Sequence, residues 1–162
     1  MDVEAEIKAI IENAPQYGVP TSVMEQAIVP VLKRFAKDLQ HQEYQVIQTL
    51  QGDWVLTALE SRSQPGMERT VVYAFATLKD AASFPGAKDP QLMAMPLSVI
   101  QVLFQLFAIE RLDSIIFLDT PGDLSTGKQI DRADLKNSIQ ARLQELEANE
   151  RPQSNNIPPN LA

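Results

Sequence analysis

The segment from Gly122 to Lys128 has the residue types and the spacing of a phosphate-binding loop. It reads Gly-Asp-Leu-Ser-Thr-Gly-Lys and follows an apolar stretch, so it matches the G-x-x-x-x-G-K pattern of nucleotide-binding proteins. In such a loop a Ser or Thr follows the lysine and holds magnesium, whereas this chain has Gln129 there. Only 34 residues follow Lys128, which is too few to complete a nucleotide-binding sheet. We therefore interpret the segment as a surface loop.

A lone histidine and a group of aspartates are the other side chains that could do chemistry. His41 stands at the end of a predicted helix, where an imidazole interacts favourably with the negative end of the helix dipole. The aspartates crowd the C-terminal third of the chain: Asp113, Asp119, Asp123, Asp131 and Asp134. Turns and helix caps account for most of them. A hydrolase would need His41, Asp119 and Asp123 to converge in one cleft, and this is the third of our hypotheses.

The composition excludes several classes of site. The 162 residues contain no cysteine and one histidine, so thiolate zinc sites, iron–sulfur clusters, cysteine nucleophiles and disulfide scaffolds are ruled out. The calcium-loop pattern is absent as well. We therefore predict no metal, no cofactor and no catalytic residue. With a net charge of −7 and no basic patch, the chain is also a poor candidate for binding nucleic acid.

Domain organisation and location follow from the same composition. No apolar run approaches the roughly 20 residues that a membrane span needs, so we expect no membrane association and a cytoplasmic protein. Residues 1–148 have the length of one domain. Residues 149–162 contain three prolines and few apolar side chains, and we predict that they form a disordered tail.

Hydrophobic periodicity places helices at both ends of the chain. A first helix is predicted over 2–13, and a second begins at a capping box formed by Ser22 and Glu25. Within the second helix Pro30 removes a backbone hydrogen bond, so we expect a kink there. A last helix is predicted over 132–148.

Strands are predicted in the middle of the chain. Residues 43–50, 54–61 and 69–78 show apolar residues at every second position, and Gly52-Asp53 is a turn signal between the first two runs. These runs predict a three-stranded antiparallel meander, and residues 113–118 add one later strand. The order α-α-β-β-β-α-β-α predicts an α+β fold with helices packed on one antiparallel sheet.

The segment Leu97–Ile109 is apolar on nearly every side. It follows Pro96, which suits the first turn of a helix. A helix of this kind must be covered on more than one face, either by another helix or by a second subunit. We expect it to carry more apolar surface than its own sheet can cover, and hence to dock a partner.

With this element order the chain resembles the type III secretion chaperones and the related YbjN-like domains, over about residues 20–148. The glutamine-rich composition, the strand ending Phe117–Pro121 and the lead Gly127–Leu135 into the last helix resemble, more closely, an uncharacterised cyanobacterial family that shares this fold. The resemblance implies a small acidic homodimer that holds an extended client on apolar patches without chemistry. The chain departs from that pattern in its extra N-terminal helix and in lacking a second strand after Leu118.

The leading hypothesis is a non-enzymatic protein-binding module, such as a chaperone-like or assembly factor that docks a protein partner or a second copy of itself. The candidate contacts are Trp54, Tyr73, Phe104 and Phe107, because aromatic side chains are enriched at interfaces. For Trp54 a place in the core is the alternative. The second hypothesis is a small-ligand sensory or regulatory domain, with a pocket between the sheet and the apolar helix.

Overall fold

A computed structural model describes residues 3–60 and 66–155 and shows an α+β fold, as the sequence predicts. The α-helices are α1 (Val3–Glu12), α2 (Thr21–Val23), α3 (Val29–Ala36), α4 (Leu78–Ala82), α5 (Val99–Ala108) and α6 (Arg132–Asn155). The strands are β1 (Glu43–Thr49), β2 (Thr57–Glu60), β3 (Glu68–Phe75), β4 (Leu92–Ser98), β5 (Ser114–Leu118) and β6 (Lys128–Asp131). They form one mostly antiparallel sheet of six strands.

The strand order corrects the predicted meander. The sheet runs β4-β1-β3-β5-β6, with β2 paired to β3, and β3 and β5 are parallel. The turn at Gly52-Asp53 does bring Trp54 back to Gln48 in a single bridge. The chain then moves on to β3, where Thr57 pairs with Val71. Residues 54–57 therefore lie between the end of β1 and the middle of β3. Near the start of β1, in contrast, the two strands pair directly, with Val46 opposite Ala74.

Pro96 lies in a strand, and its predicted place in the first turn of a helix is wrong. It belongs to β4, which pairs with β1 and forms an edge of the sheet in the described part of the chain, where a residue without an N–H group is tolerated. The helix starts after Ser98, whose hydroxyl accepts a hydrogen bond from the Gln101 N–H at 3.1 Å. A good N-cap thus sets the first helical residue, Val99, three residues after the proline.

A strand also lies where the sequence showed none, between Leu118 and the last helix. This strand, β6, pairs antiparallel with β5 and places Lys128 on an edge strand. Gly127 passes close over β5: a Cβ atom there would lie 2.8 Å from Ile116 Cγ2 and 3.1 Å from the Phe117 carbonyl oxygen. Close packing therefore explains why Gly127 is a glycine. The predicted surface loop extends from Gly122 to Gly127, and Lys128 begins β6.

The irregularity predicted at Pro30 takes the form of a short π-helix, Met24–Ile28, between α2 and α3. Pro30 has no N–H to donate to the Gln26 carbonyl one turn earlier. That carbonyl instead accepts a hydrogen bond from Arg142 Nε of α6, at 3.1 Å. The predicted capping box does not form, because Pro20 occupies the N-cap and no side chain caps the helix.

α5 is enclosed within a single chain. One side of the sheet carries α5, and the helices α1, α3 and α6 contact it. Val102, Leu103 and Leu106 have no exposed surface, and Phe104 is 1% exposed. The excess apolar surface expected on this helix is therefore absent, since the N-terminal and C-terminal helices cover it.

The opposite side of the sheet, which we call the open sheet face, is covered only in part. The short α4 and the loop after it shield Ile47, Phe75 and Leu118, which are buried together with Ala81. Next to them Tyr73 and Ile116, directly opposite each other on β3 and β5, stay half-buried. Since β3 and β5 are apolar on both sides, this face lacks the second layer that a parallel pair usually has.

The ends of the fold bear on two further predictions. α6 continues to Asn155, so the domain boundary predicted at residue 148 falls inside helix, and 156–162 of the predicted tail lie outside the described residues. In the described part of the chain, none of the helices combines the length and apolarity needed to cross a membrane.

Candidate functional site

The four predicted contact residues lie in three different places. Phe104 is in the core, where its ring meets the Tyr17 ring edge-on at 5.0 Å, so it is not accessible to a partner. Phe107, on the same helix, is half-buried. Tyr73 lies on the open sheet face. Trp54 lies at the β1–β2 turn, packed partly against the main core.

The residues of the hydrolase hypothesis meet only in part, in a cluster that joins the start of β1 to the end of β5. His41 Nε2 lies 2.7 Å from the Asp119 main-chain carbonyl oxygen, and since that oxygen accepts, Nε2 carries the proton. The buried Tyr44 hydroxyl donates to the Asp119 carboxylate and accepts from the His41 backbone N–H. Burial, reinforced by the neighbouring Asp119, raises the pKa of Tyr44 far above its ordinary value.

This cluster connects the loop before β1 to the loop after β5 and does not form a catalytic relay. In a relay the carboxylate would hold the imidazole and orient it, but the Asp119 carboxylate is taken by Tyr44. Asp123 is bound within its own turn, where its carboxylate accepts from the Ser125 N–H and from the Ser125 and Thr126 hydroxyls. Those bonds lower the pKa of Asp123.

A buried carboxylate that the sequence reasoning missed holds the same loop. Asp80 is 5% exposed, and both of its oxygens accept from the Gly122 N–H at 3.1 Å. Asp80 follows β3 and Gly122 follows β5, and the carboxyl ends of these parallel strands meet at one edge. The sequence carries no signal for this contact, since the partner lies 42 residues away.

A pocket of about 350 Å³ opens between the β1–β2 turn and α5, and we call it the Trp54 pocket. Its polar lining consists of Gln48, Asp53, Trp54, Gln101, Gln105 and Arg111, and its apolar lining includes Leu56, Leu97 and Ile109. Binding sites for small molecules are typically apolar clefts of about 300–1,000 Å³ with a few convergent polar groups. This pocket has the volume and the convergent polar groups of such a site, but its lining is more polar than apolar. It opens beside α5, the helix that the second hypothesis names.

Local sequence positions each wall of the Trp54 pocket. The tight turn after β1 is closed by a hydrogen bond from the Thr49 N–H to the Asp53 carbonyl at 2.7 Å, which returns Trp54 to a place beside Gln48. On α5, Gln101 and Gln105 are one turn apart and so share a face. They form the polar stripe of a helix whose other faces are buried.

The polar side chains of the Trp54 pocket are unpaired. Within residues 3–60 and 66–155, the carboxamides of Gln48, Gln101 and Gln105 make no hydrogen bond, although all three residues are half-buried. The same holds for the Trp54 indole N–H. At the mouth of the pocket, Arg111 and Asp53 form no ion pair with any described side chain. Donors and acceptors therefore converge here without partners from the described fold.

Two other clefts are larger but more open to solvent. One, of about 690 Å³, lies beside His41 and Lys37. The other, of about 590 Å³, lies beside Arg69 and Arg132, where Arg69 pairs with Asp131 at 2.7 Å and Arg132 Nε donates to the Phe107 carbonyl oxygen. In the described part of the chain, no three His, Asp or Glu side chains come close enough to hold a metal ion.

Comparison with known proteins adds no assignment. A scan against protein-family models finds no match, and a search of curated proteins finds none with significant sequence similarity.

Proposed function

We propose that this protein is a non-enzymatic ligand-binding domain of the sensory or regulatory kind, and that its site is the Trp54 pocket. The observation that supports the proposal is the convergence of three unpaired carboxamides on a half-buried tryptophan. These polar atoms keep contact with solvent, so they are free to exchange bound water for the hydrogen-bonding groups of a ligand. The proposal includes a cytoplasmic location and no role for nucleic acid or membrane.

The pocket also offers a way to pass binding on to the rest of the molecule. A ligand held by Gln48 and Trp54 on one side and by Gln101 on the other would bridge the β1–β2 turn and α5. These walls belong to different elements, so a bound ligand would restrict their relative motion. A change in the turn would then be available for a downstream partner to recognise.

A thermal-shift screen with a set of common metabolites tests this function. A ligand at one hundred times its Kd stabilises the folded state by about 2.7 kcal/mol, which raises Tm by about 5–10 °C in a chain of this size. The rise should vanish in Trp54→Leu and persist in Leu59→Ala, an exposed residue of β2 outside the pocket. A hit whose effect survives in Trp54→Leu would contradict the assignment of the site.

A second function, docking of a protein on the open sheet face, is supported by a different observation. Tyr73 and Ile116 remain half-buried on a face whose strands are apolar enough for full burial. At its rim Arg69 and Asp131 pair with each other at 2.7 Å, so this pair adds no net charge that would repel a second copy of the face. We propose a second copy of this chain as the occupant, in keeping with the resemblance to dimeric secretion chaperones.

The oligomeric state across protein concentration tests this docking. A dimer is expected by light scattering, and Tyr73→Arg should convert it to a monomer, because a charge at the centre of an apolar interface is strongly unfavourable. Lys88→Glu, an exposed charge change in the loop after α4, is the matched control and should leave the dimer intact. A wild-type monomer at all concentrations would remove the second copy as the occupant.

A further inference from the structure

The glutamines of α5 point to a ligand with hydrogen-bonding groups along one edge. α5 is otherwise the most apolar helix of the chain, and nothing in the described structure uses the carboxamides of Gln101 and Gln105. Each carboxamide holds an acceptor and two donor hydrogens in one plane. Two of them one helical turn apart therefore present a row of alternating donors and acceptors.

Trp54 adds a flat surface beside that row. Its ring makes no aromatic contact with any described residue, and its pocket has an apolar wall from Leu97 and Ile109. Flat heterocycles stack on tryptophan through their faces, and glutamine pairs with the edge of adenine through its carboxamide. One ligand class thus satisfies both features, a purine whose face lies on Trp54 and whose edge meets the glutamines.

The charges at the mouth of the pocket limit the number of phosphate groups that such a ligand can carry. Arg111 is exposed and forms no ion pair with any described side chain, and a guanidinium binds a phosphate well. Asp53 lies at the same mouth, and the whole chain has a net charge of −7. This balance allows a neutral nucleoside or a single phosphate and disfavours a polyphosphate.

We propose that the Trp54 pocket binds a purine nucleoside or its monophosphate, with the base stacked on Trp54 and paired to Gln101 and Gln105. This inference rests on the proposed ligand-binding function and names its ligand class. The pocket volume of about 350 Å³ is near the lower end for ligand sites, which suits a single nucleoside better than a dinucleotide.

Trp54 is the only tryptophan, so its fluorescence reports on this pocket alone. Titration with adenosine and with adenosine monophosphate should quench it to saturation. Gln101→Met and Gln105→Met keep the side-chain length but remove the hydrogen bonds, and each should weaken binding about tenfold. Gln144→Met, at an exposed position of α6, is the matched control and should bind like the wild type.

Arg111→Ala separates the two ligands. It should weaken the monophosphate about tenfold and leave adenosine unchanged, whereas Arg34→Ala, an exposed arginine away from the pocket, should change neither. Quenching by a sugar or an amino acid but not by purines would overturn the purine assignment and leave the ligand-binding function standing. Purine binding unaffected by both glutamine variants would overturn the proposed geometry. No saturable response to any metabolite would overturn the function and the inference together.

Discussion

The hydroxyl of Tyr44 links two loops that lie far apart in the sequence. It is buried, accepts a hydrogen bond from the His41 backbone N–H and donates one to the Asp119 carboxylate, which lies 75 residues after Tyr44. His41 adds a second link to the Asp119 carbonyl. These side chains bond to one another rather than to a ligand, so the cluster holds the start of β1 against the end of β5. Its loss should therefore lower the free energy of unfolding.

Alkaline unfolding of Tyr44→Phe tests this role. In the unfolded chain Tyr44 ionises near pH 10, but in the folded chain its pKa is raised, so the folded state keeps its proton longer. Above pH 10 the unfolded state therefore binds fewer protons, and wild-type stability falls by up to about 1.4 kcal/mol per pH unit. Below that range the hydrogen bond contributes about 1–2 kcal/mol over the phenylalanine variant.

The measurement is the free energy of unfolding in urea for both proteins between pH 8 and pH 11. The advantage of the wild type should be constant up to about pH 10 and should then shrink. An advantage that stays the same across the whole range would show that Tyr44 keeps an ordinary pKa and that its burial is not maintained in solution.

At the residue scale, sequence alone could identify the kind of side chain but not its partners. The aspartates were expected to form turns and caps, and Asp123 does bind its own turn. Asp113, in contrast, accepts a hydrogen bond at 2.7 Å from the N–H of Thr70, 43 residues earlier. The bonds from Asp80 to Gly122 and from Tyr44 to Asp119 span the sheet. Sequence spacing carries no signal for contacts of this kind, since they depend on which strands become neighbours.

At the element scale, the sequence did not predict two of the strands, for different reasons. β4 contains Pro96, which predicted the first turn of a helix rather than a strand. β6 has a single apolar residue, Ile130, too few for an alternating pattern. Both are edge strands, and an edge position relaxes the demand for a hydrophobic pattern that central strands must meet. Strands with a strong pattern, such as β3 and β5, were found.

Gly127→Ala tests how closely the start of β6 lies on β5. The added Cβ would meet the Phe117 carbonyl oxygen at 3.1 Å as well as two side chains, and a backbone atom cannot move aside cheaply. We expect a loss of about 1–3 kcal/mol in the free energy of unfolding, typical of overpacking. The measurement is denaturant unfolding of the variant beside the wild type.

Lys128→Ala is the control for that experiment and also examines the phosphate-loop resemblance. Lys128 is exposed and its nearest partner, Asp38, is 4.0 Å away, so its loss should cost less than about 0.5 kcal/mol. Equal effects of the two substitutions would argue against close packing of Gly127. Stabilisation by nucleoside triphosphate that depends on Lys128 would revive the phosphate-binding interpretation.

At the scale of the whole molecule, the two sides of the sheet are covered unequally. Among the residues that the structure describes, the helices α1, α3, α5 and α6 lie on one side and α4 alone lies on the other. The sequence correctly indicated that the helix after Pro96 needed cover on several faces, but it could not show that the cover comes from the ends of the same chain. The N-terminal helix, which looked like a departure from the chaperone pattern, is part of that cover.

Undocking α1 should therefore recreate the surface first expected on α5. Ile7 and Ile10 are 5% and 4% exposed and join the core beside α5, so Ile10→Asp places an unpaired charge in that contact. We expect α1 to detach, with a loss of about 3–5 kcal/mol in stability and new binding of a hydrophobic dye. Lys8→Asp, an exposed position of the same helix, should do neither. If Ile10→Asp leaves the dye unbound and the chain as stable as the Lys8→Asp control, α1 does not shield α5, and docking through α5 becomes the better explanation of its apolar sequence.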